Sequence, residues 1–221
     1  ELYWLAENIH RPLYYVLGNH DHWYTNFKTS KYLANISQTI NKNKKLYYLS
    51  ANLPFEIQPK IWLTGVDGWY DCRNFKYNEI SDFISGSEAL NDFDLIEDLI
   101  TLKGTPEEKL QLIRDFADIE VYELEHKLKY ILPQSPNKII VGTHVPPLIF
   151  PNSKVKENYP GFYSCRKLMD LLCQISEDYK NTQFYIYCGH NHGGGSFEVD
   201  NLHIFCKESR YSYPDSVLVE I

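Results

Sequence analysis

Short apolar runs alternate with longer amphipathic stretches along most of the chain, and several apolar runs follow one another near its end. Most of the short runs are rich in Val, Ile, Tyr and Phe and stop at Gly, Asn, Asp or Pro, which is the pattern that predicts strands. The predicted strands are Leu13–Leu17, Leu46–Leu49, Ile61–Val66, Lys138–Gly142, Phe184–Cys188, Phe197–Val199, Leu202–Cys206 and Val217–Ile221. A two-residue polar turn at Asp200 and Asn201 predicts a hairpin between two of them.

The amphipathic stretches predict helices between the strands. The clearest is Pro106–Leu132, where apolar residues recur at steps of three and four, Thr105 is suited to be the N-cap and Pro133 ends the pattern. The other predicted helices are Leu2–Ile9, Thr25–Asn41, Glu88–Leu102 and Ser164–Tyr179. This order of elements predicts an α/β fold in which sheets are flanked by helices.

Composition narrows the class of protein. The chain has 221 residues, of which 43% are hydrophobic and 15% aromatic, as expected of one packed domain. It contains no apolar run long enough to span a membrane. The net charge of −7 and the scattered lysines argue against a nucleic-acid partner. Five cysteines without a CxxC pair suggest reduced thiols, so we expect a cytoplasmic protein.

Polar residues cluster in three turns, and each turn directly follows a predicted strand and begins with glycine. The candidate residues in these turns are Asn19, His20, Asp21, His144, His190 and His192. Because ligands bind at the carboxyl ends of strands in open α/β sheets, we expect the three turns to form one site. Taken singly, each cluster is more often an ordinary polar turn than a set of ligands, and it is their combination that favours a site.

The residue types in these turns are suited to metal ions. Neutral imidazole is a ligand for Zn, Mn, Fe or Co, and the amide oxygen of Asn19 suits a harder cation. His190 and His192 can address two different ions if the chain bends between them. The leading glycines are explained, on this view, by sharp turns that need backbone angles open only to glycine.

The stretches "GNHD", "GTHVPP" and "GHNH" resemble, in this order, the later motifs of the calcineurin-like metallophosphoesterase superfamily. The resemblance implies a four-layer α/β/β/α sandwich of two mixed sheets flanked by helices. It also implies two divalent or trivalent metal ions (Mn, Fe or Zn, with Mn favoured). The implied activity is hydrolysis of a phosphomonoester or phosphodiester by in-line attack of a hydroxide that bridges the metals.

The resemblance also assigns roles to individual residues. Asn19, His144 and His190 resemble ligands of the second metal, whereas His192 resembles a ligand of the first. His20 resembles the catalytic histidine, which acts as general acid and stabilises the transition state. Asp21 resembles the carboxylate that orients His20 and keeps it cationic.

Two motifs of the superfamily, Asp-x-His and Gly-Asp-x-x-Asp, are expected before Gly18, but the 17 residues that precede it contain neither. We therefore expect the N-terminal strands of the fold, and the ligands they carry, to be missing from these 221 residues. Without the bridging carboxylate, the remaining ligands are neutral and match a cation poorly. We expect this chain alone to bind metal weakly and to be nearly inactive.

Two further features concern the substrate. Asp71 and Arg73, after the strand Ile61–Val66, could frame a phosphate, or could simply form an ion pair in a structural turn. Residues 74–132 resemble a helical insertion in a single domain, and we weigh two roles for it, a cap over the site and plain packing outside the sheets.

The expected partner is a phosphorylated small molecule or a phosphoprotein, with no membrane, and the oligomeric state is left open. Two alternatives remain. One is an interaction scaffold that keeps the fold without catalysis, which the presence of His20 disfavours. The other is a nuclease of the same superfamily, which the charge disfavours.

Overall fold

The structure is a computed structural model that describes residues 4, 7, 8, 11–40, 45–75, 79–150 and 159–208. The strands are β1 (Leu13–Tyr15), β2 (Leu46–Tyr48), β3 (Phe55–Gln58), β4 (Ile61–Gly65), β5 (Lys138–Gly142), β6 (Gln183–Cys188), β7 (Gly195–Val199) and β8 (Leu202–Cys206). The helices are α1 (Phe27–Ile40), α2 (Glu79–Ala89), α3 (Asp92–Leu95), α4 (Glu97–Ile100), α5 (Pro106–Ile131) and α6 (Arg166–Asp178). Trp4, Glu7 and Asn8 are also helical.

The strands form two sheets that are flanked by helices. The larger sheet has the order β3-β4-β5-β6-β8-β7, with a parallel centre and an antiparallel strand at each edge. The smaller sheet is the parallel pair β1-β2. The predicted α/β class, with sheets between helices and a mixed sheet among them, is confirmed.

The hydrophobic core lies between the larger sheet and the helices α5 and α6. Ile139 and Ile186 from the sheet belong to the same buried cluster as Leu128 and Leu172 from the helices. Lys127 ties α5 to the sheet, because its ammonium group donates to the carbonyl oxygens of Leu49, Ser50 and Gly65 at 2.7, 3.0 and 2.9 Å. Helix α5 is thereby fixed beside the carboxyl end of β4.

Most predicted elements are confirmed with small changes at their ends. The hairpin forms between β7 and β8, and Asp200 in its turn has a positive φ of 51°. Thr105 caps α5 as predicted, within a capping box that includes Glu108. Strand β3 was not predicted, because four residues at a sheet edge give little periodicity. The predicted strand Val217–Ile221 lies outside the described residues.

The prediction of a continuous helix over Glu88–Leu102 is wrong. Helix α2 ends at Ala89, and the chain continues as the two short helices α3 and α4. The break between them is at Ile96, whose extended backbone forms an isolated bridge with Thr25 and whose side chain is fully buried. Tertiary contacts therefore override the local helical periodicity.

Two expectations from the composition, on membrane-spanning segments and on the state of the cysteines, can be compared with the fold. Each helix within the described ranges is too short or too polar to cross a membrane. All five cysteines are free thiols, three of them buried (Cys72, Cys165 and Cys206).

Candidate functional site

The three polar turns meet at one cleft, whose volume is about 740 Å³. The turns follow β1, β5 and β6, and parallel pairing brings the ends of β4, β5 and β6 level, with Gly142 beside both Gly65 and Tyr187. All six candidate residues, Asn19, His20, Asp21, His144, His190 and His192, line the cleft. The expectation that the turns share a site therefore agrees with the geometry.

The first turn is a single 3-10 turn over Asn19–His22. It is closed by Asp21, whose Oδ2 accepts from the backbone N–H of Gly18 at 2.7 Å. Asn19 points inward and is 9% exposed, whereas His20 is exposed to the cleft and its ring lies 3.7 Å, centroid to centroid, from that of Trp23. The turn thus separates a buried amide from an accessible imidazole.

The amide oxygen of Asn19 meets an imidazole of the second turn. Asn19 Oδ1 lies 2.9 Å from His144 Nε2. The backbone of His144 is held on both sides, since its N–H donates to the Asp67 carbonyl at 2.8 Å and its carbonyl accepts from Gly189 N at 2.9 Å. Because an amide oxygen can only accept, the imidazole Nε2–H of His144 donates to Asn19 Oδ1 and links the first two turns.

The third turn brings His190 next to His144, with ring centroids 5.1 Å apart. The backbone of His190 is left-handed, with φ of 61°, an uncommon conformation for a non-glycine residue. His190 Nε2 carries a proton, because its partner at 2.9 Å is the carbonyl oxygen of Phe162, which can only accept. Nδ1 is therefore the nitrogen of this ring with a free lone pair for a ligand.

The surroundings of His144 and His190 favour their neutral forms. Burial lowers the pKa of His144 well below its ordinary value, and the nearby His190 lowers it further. Burial also lowers the pKa of His190. Neutral imidazole is the form that binds metal ions, so the electrostatics of the cleft favour this use.

The expectation that Asp21 keeps His20 cationic stays a prediction, and Asp21 does act in that direction on the pKa of His20. Burial lowers the pKa of His20, and this effect outweighs the raising effects of Asp92 and Asp21. Burial therefore favours the neutral imidazole of His20 in the free protein.

The side chains that the structure describes in the cleft do not by themselves form a complete set of metal ligands. Asn19 Oδ1 and His144 Nε2 are joined by a hydrogen bond of 2.9 Å, with His190 beside them. Among the described residues no three His, Cys, Asp or Glu side chains are grouped to hold a metal ion. The carboxylates of the cleft, Asp21 and Asp92, are occupied by backbone and side-chain donors.

The predicted role of the leading glycines is wrong. Gly18 has an ordinary extended backbone, with φ of −102°, and Gly142 and Gly189 are not among the residues with positive φ. Close packing explains Gly18 instead, because a Cβ there would lie 2.6 Å from His144 Cε1. The left-handed glycines of this region are Gly194 and Gly195, which pack against the backbone of Glu208 and the ring of Phe150.

Asp71 and Arg73 do not line the cleft. Asp71 is fully buried and accepts from the backbone N–H groups of Arg73 and Lys167 at 3.1 and 2.9 Å. The guanidinium of Arg73 binds both oxygens of Asp118, at 2.7 and 3.0 Å. The geometry favours the structural interpretation of this pair, as an ion-pair network that joins the turn after β4 to α5 and α6.

Among the cleft residues that sequence reasoning missed are Ala89, Leu90, Asn91 and Asp92, from the end of α2 to the start of α3. The helical arm, defined here as α2 to α5, therefore forms one wall of the cleft. Trp23 and Tyr163 add aromatic surface to it. Asp92 stood in the sequence as one of several acidic residues in a helical stretch, and no local pattern distinguishes it from the others.

Comparison with known proteins shows the fold. No family model matches the sequence, and no curated protein matches it. Among solved structures, the chain is similar to the phosphopantetheinyl hydrolase (PptH) of Mycobacterium tuberculosis, with a TM-score of 0.62 and 12% sequence identity. The match covers 89% of this chain and 69% of that one.

Proposed function

We propose that this protein is a metal-dependent phosphoester hydrolase that acts in the cleft described above. One observation carries the proposal: the six candidate residues come from three turns far apart in sequence, yet they line one cleft, where an amide oxygen lies 2.9 Å from an imidazole nitrogen. The similarity in fold to a hydrolase agrees with this activity. The calcineurin-like superfamily remains our proposed family.

The residues that would hold metal are those expected from the motifs. Asn19 and His144, with Nδ1 of His190, would hold one cation, and His192 would serve a second. A bound divalent cation, with Mn²⁺ favoured, supplies Lewis acidity and an activated water. Lowered pKa values favour neutral His144 and His190, which can bind a cation without net loss of a proton; His144 would first have to move its proton from Nε2 to Nδ1 to bind through Nε2.

His20 would act on the phosphate directly. Its ring is exposed to the cleft, and one face is covered by Trp23, which limits its rotation. An anionic phosphate beside the ring favours the protonated imidazole, so we expect His20 to gain its proton when substrate binds. That proton can stabilise charge on the phosphate oxygens or pass to the leaving group.

The cleft suits a small molecule better than a protein segment. Its volume of about 740 Å³ is within the usual range for small-ligand sites. Trp23, Leu90 and Tyr163 offer apolar surface around the polar turns. We therefore propose an organic phosphoester of low molecular mass as substrate, and a phosphoprotein as the second choice.

The test is hydrolysis of nitrophenyl phosphate monoester and diester by the full-length gene product with Mn²⁺. We expect His20→Ala to lower turnover by roughly 10²–10⁴-fold while the bound manganese is unchanged. Asn19→Ala should lower both together. His126→Ala, on the exposed face of α5, is the matched control and should behave as the wild type.

Three outcomes would contradict three different statements: the role of His20, the hydrolase activity, and the weak metal binding expected of these 221 residues. Equal loss of turnover and metal in His20→Ala would make His20 a ligand. A folded protein without hydrolysis of either ester would favour the interaction scaffold. Two stoichiometric metal ions on the 221-residue chain would contradict our expectation that these residues alone bind metal weakly.

A further inference from the structure

Asp92 is a buried carboxylate at the start of α3, and the chemistry proposed above gives it no role. Its side chain is 3% exposed, although it lines the cleft. A buried carboxylate is costly unless donors surround it. The hydrogen-bond donors around Asp92 therefore indicate its role.

Both of the close donors to Asp92 come from the turn that carries the proposed catalytic residues. Asp92 Oδ1 accepts from Asn19 Nδ2 and from Trp23 Nε1, both at 2.8 Å. The hydroxyl of Tyr70 lies 3.5 Å from Oδ2 and completes the surroundings. The helical arm thus reaches across the cleft and binds the turn after β1.

The contact with Asn19 decides which end of its carboxamide faces the cleft. A carboxamide has an oxygen at one end and an NH₂ group at the other, and rotation by 180° exchanges them. An ionised carboxylate can only accept, so Asp92 holds the NH₂ end. The oxygen end is then turned toward His144 Nε2, 2.9 Å away.

The contact with Trp23 acts on the other half of the turn. The indole N–H is anchored to the same oxygen, Asp92 Oδ1, and the indole ring lies 3.7 Å from the ring of His20. One carboxylate oxygen therefore fixes both the amide that would bind metal and the aromatic ring that supports His20.

We infer that Asp92 is a positioning residue of the site. It turns the Asn19 oxygen toward the cleft as the atom that would bind metal, and it holds Trp23 against His20. The orienting effect stands on the geometry alone, whereas its effect on catalysis rests on the proposed hydrolase function. Asp92 binds neither substrate nor metal in this scheme; it acts through Asn19 and Trp23.

Two substitutions separate the effect of a hydrogen-bond acceptor at position 92 from the effect of its negative charge. Asp92→Asn keeps an oxygen for Asn19 and Trp23, and its NH₂ group can donate to the Tyr70 hydroxyl. Asp92→Leu has a similar shape but offers no acceptor. Tyr70→Phe is the matched control, because it removes the longest contact and leaves Asn19 and Trp23 bound.

The first measurement is hydrogen exchange of the Asn19 side-chain amide by NMR, which needs neither metal nor substrate. We expect exchange at least about tenfold faster in Asp92→Leu than in the wild type, and near wild-type exchange in Asp92→Asn and Tyr70→Phe. The second measurement is Mn²⁺ affinity, which should fall at least about tenfold in Asp92→Leu and be largely restored in Asp92→Asn. In an Asn19→Ala background, Asp92→Leu should cost little further affinity.

The results that overturn the inference are distinct from those that overturn the proposed function. Unchanged Asn19 exchange in Asp92→Leu would refute the positioning role. So would an Asp92→Asn variant as impaired as Asp92→Leu, because the charge would then be what matters. A wild-type full-length gene product without Mn²⁺ binding or hydrolysis, whose Asn19 exchange still responds to Asp92→Leu, would refute the hydrolase and keep the positioning. If Asp92→Leu does not fold, Asp92→Glu provides the same test, since it keeps the charge and displaces the oxygen by one methylene.

Discussion

At the scale of single residues, the site depends on close contacts between residues that are far apart in the chain. Gly18 and His144 are an example, because the absence of a side chain at Gly18 makes room for the imidazole ring. His22 is another, since its Nδ1 lies 2.5 Å from Ser30 Oγ inside the packed turn. Both residues are in or beside the candidate turn, and each leads to a separate prediction.

Gly18→Ala should displace His144. The backbone at Gly18 accepts alanine without strain, but the new Cβ would lie 2.6 Å from His144 Cε1, well inside van der Waals contact. We expect a loss of hydrolysis of at least about tenfold, because small misplacements of reacting groups are costly. Gly189→Ala is the comparison, since its Cβ would meet the same ring at an ordinary 3.5 Å. Equal losses in the two variants, measured as kcat/KM, would contradict the steric explanation.

His22 should make the protein less stable in acid. Burial lowers the pKa of His22 to about 4 from an ordinary value of 6.5. Between these values the unfolded chain binds the proton and the folded one does not, so the free energy of unfolding falls as pH drops from about 6.5 to 4. The slope from this residue is at most about 1.4 kcal/mol per pH unit.

Urea unfolding between pH 7.5 and 5 measures that slope. His22→Phe should show a shallower dependence on pH than the wild type, whatever its absolute stability. A slope identical to that of the wild type would show that other groups, such as His144 and His190, account for all of the acid sensitivity.

At the scale of elements, the parallel strands bring the polar turns together and the helical arm holds one of them in place. Sequence reasoning anticipated the first effect, because a strand followed by glycine and histidine has a recognisable pattern and parallel strands end level. It did not anticipate the second. The contact between Asp92 and Asn19 joins residues 73 positions apart, and no periodicity records it. The same limit explains why the turn at Asp71 and Arg73 could not be interpreted before Asp118 and Lys167 were placed around it.

The capping box of α5 can be tested as an element. Thr105 Oγ1 accepts from Glu108 N at 3.4 Å, and Thr105 N donates to Glu108 Oε2 at 2.8 Å. Thr105→Ala should lower the free energy of unfolding by about 1 kcal/mol, whereas Thr105→Ser should retain most of it. Hydrolysis at saturating substrate should not change, because Thr105 is not among the residues that line the cleft. A Thr105→Ser loss as large as that of Thr105→Ala would contradict the capping role of the hydroxyl.

At the scale of the whole molecule, the fold class, the order of most strands and the clustering of six site residues were predictable from the sequence. These features depend on local patterns and on one general property of parallel sheets. The wall of the cleft, the break at Ile96 and the partners of Asp92 were not, because they depend on how the helical arm packs on the sheets. The lowered pKa of His20 was not predictable from the sequence either, because burial in the folded protein causes it.

The link from His144 through Asn19 to Asp92 also affects how the molecule must fold. Asn19 contacts a residue 73 positions away and another 125 positions away. Each contact closes a long loop, whose entropy has to be offset before the contact contributes. The cleft is therefore among the most non-local features of the topology. An intact Asn19 side-chain environment would report that the smaller sheet, the larger sheet and the helical arm have all reached their native arrangement.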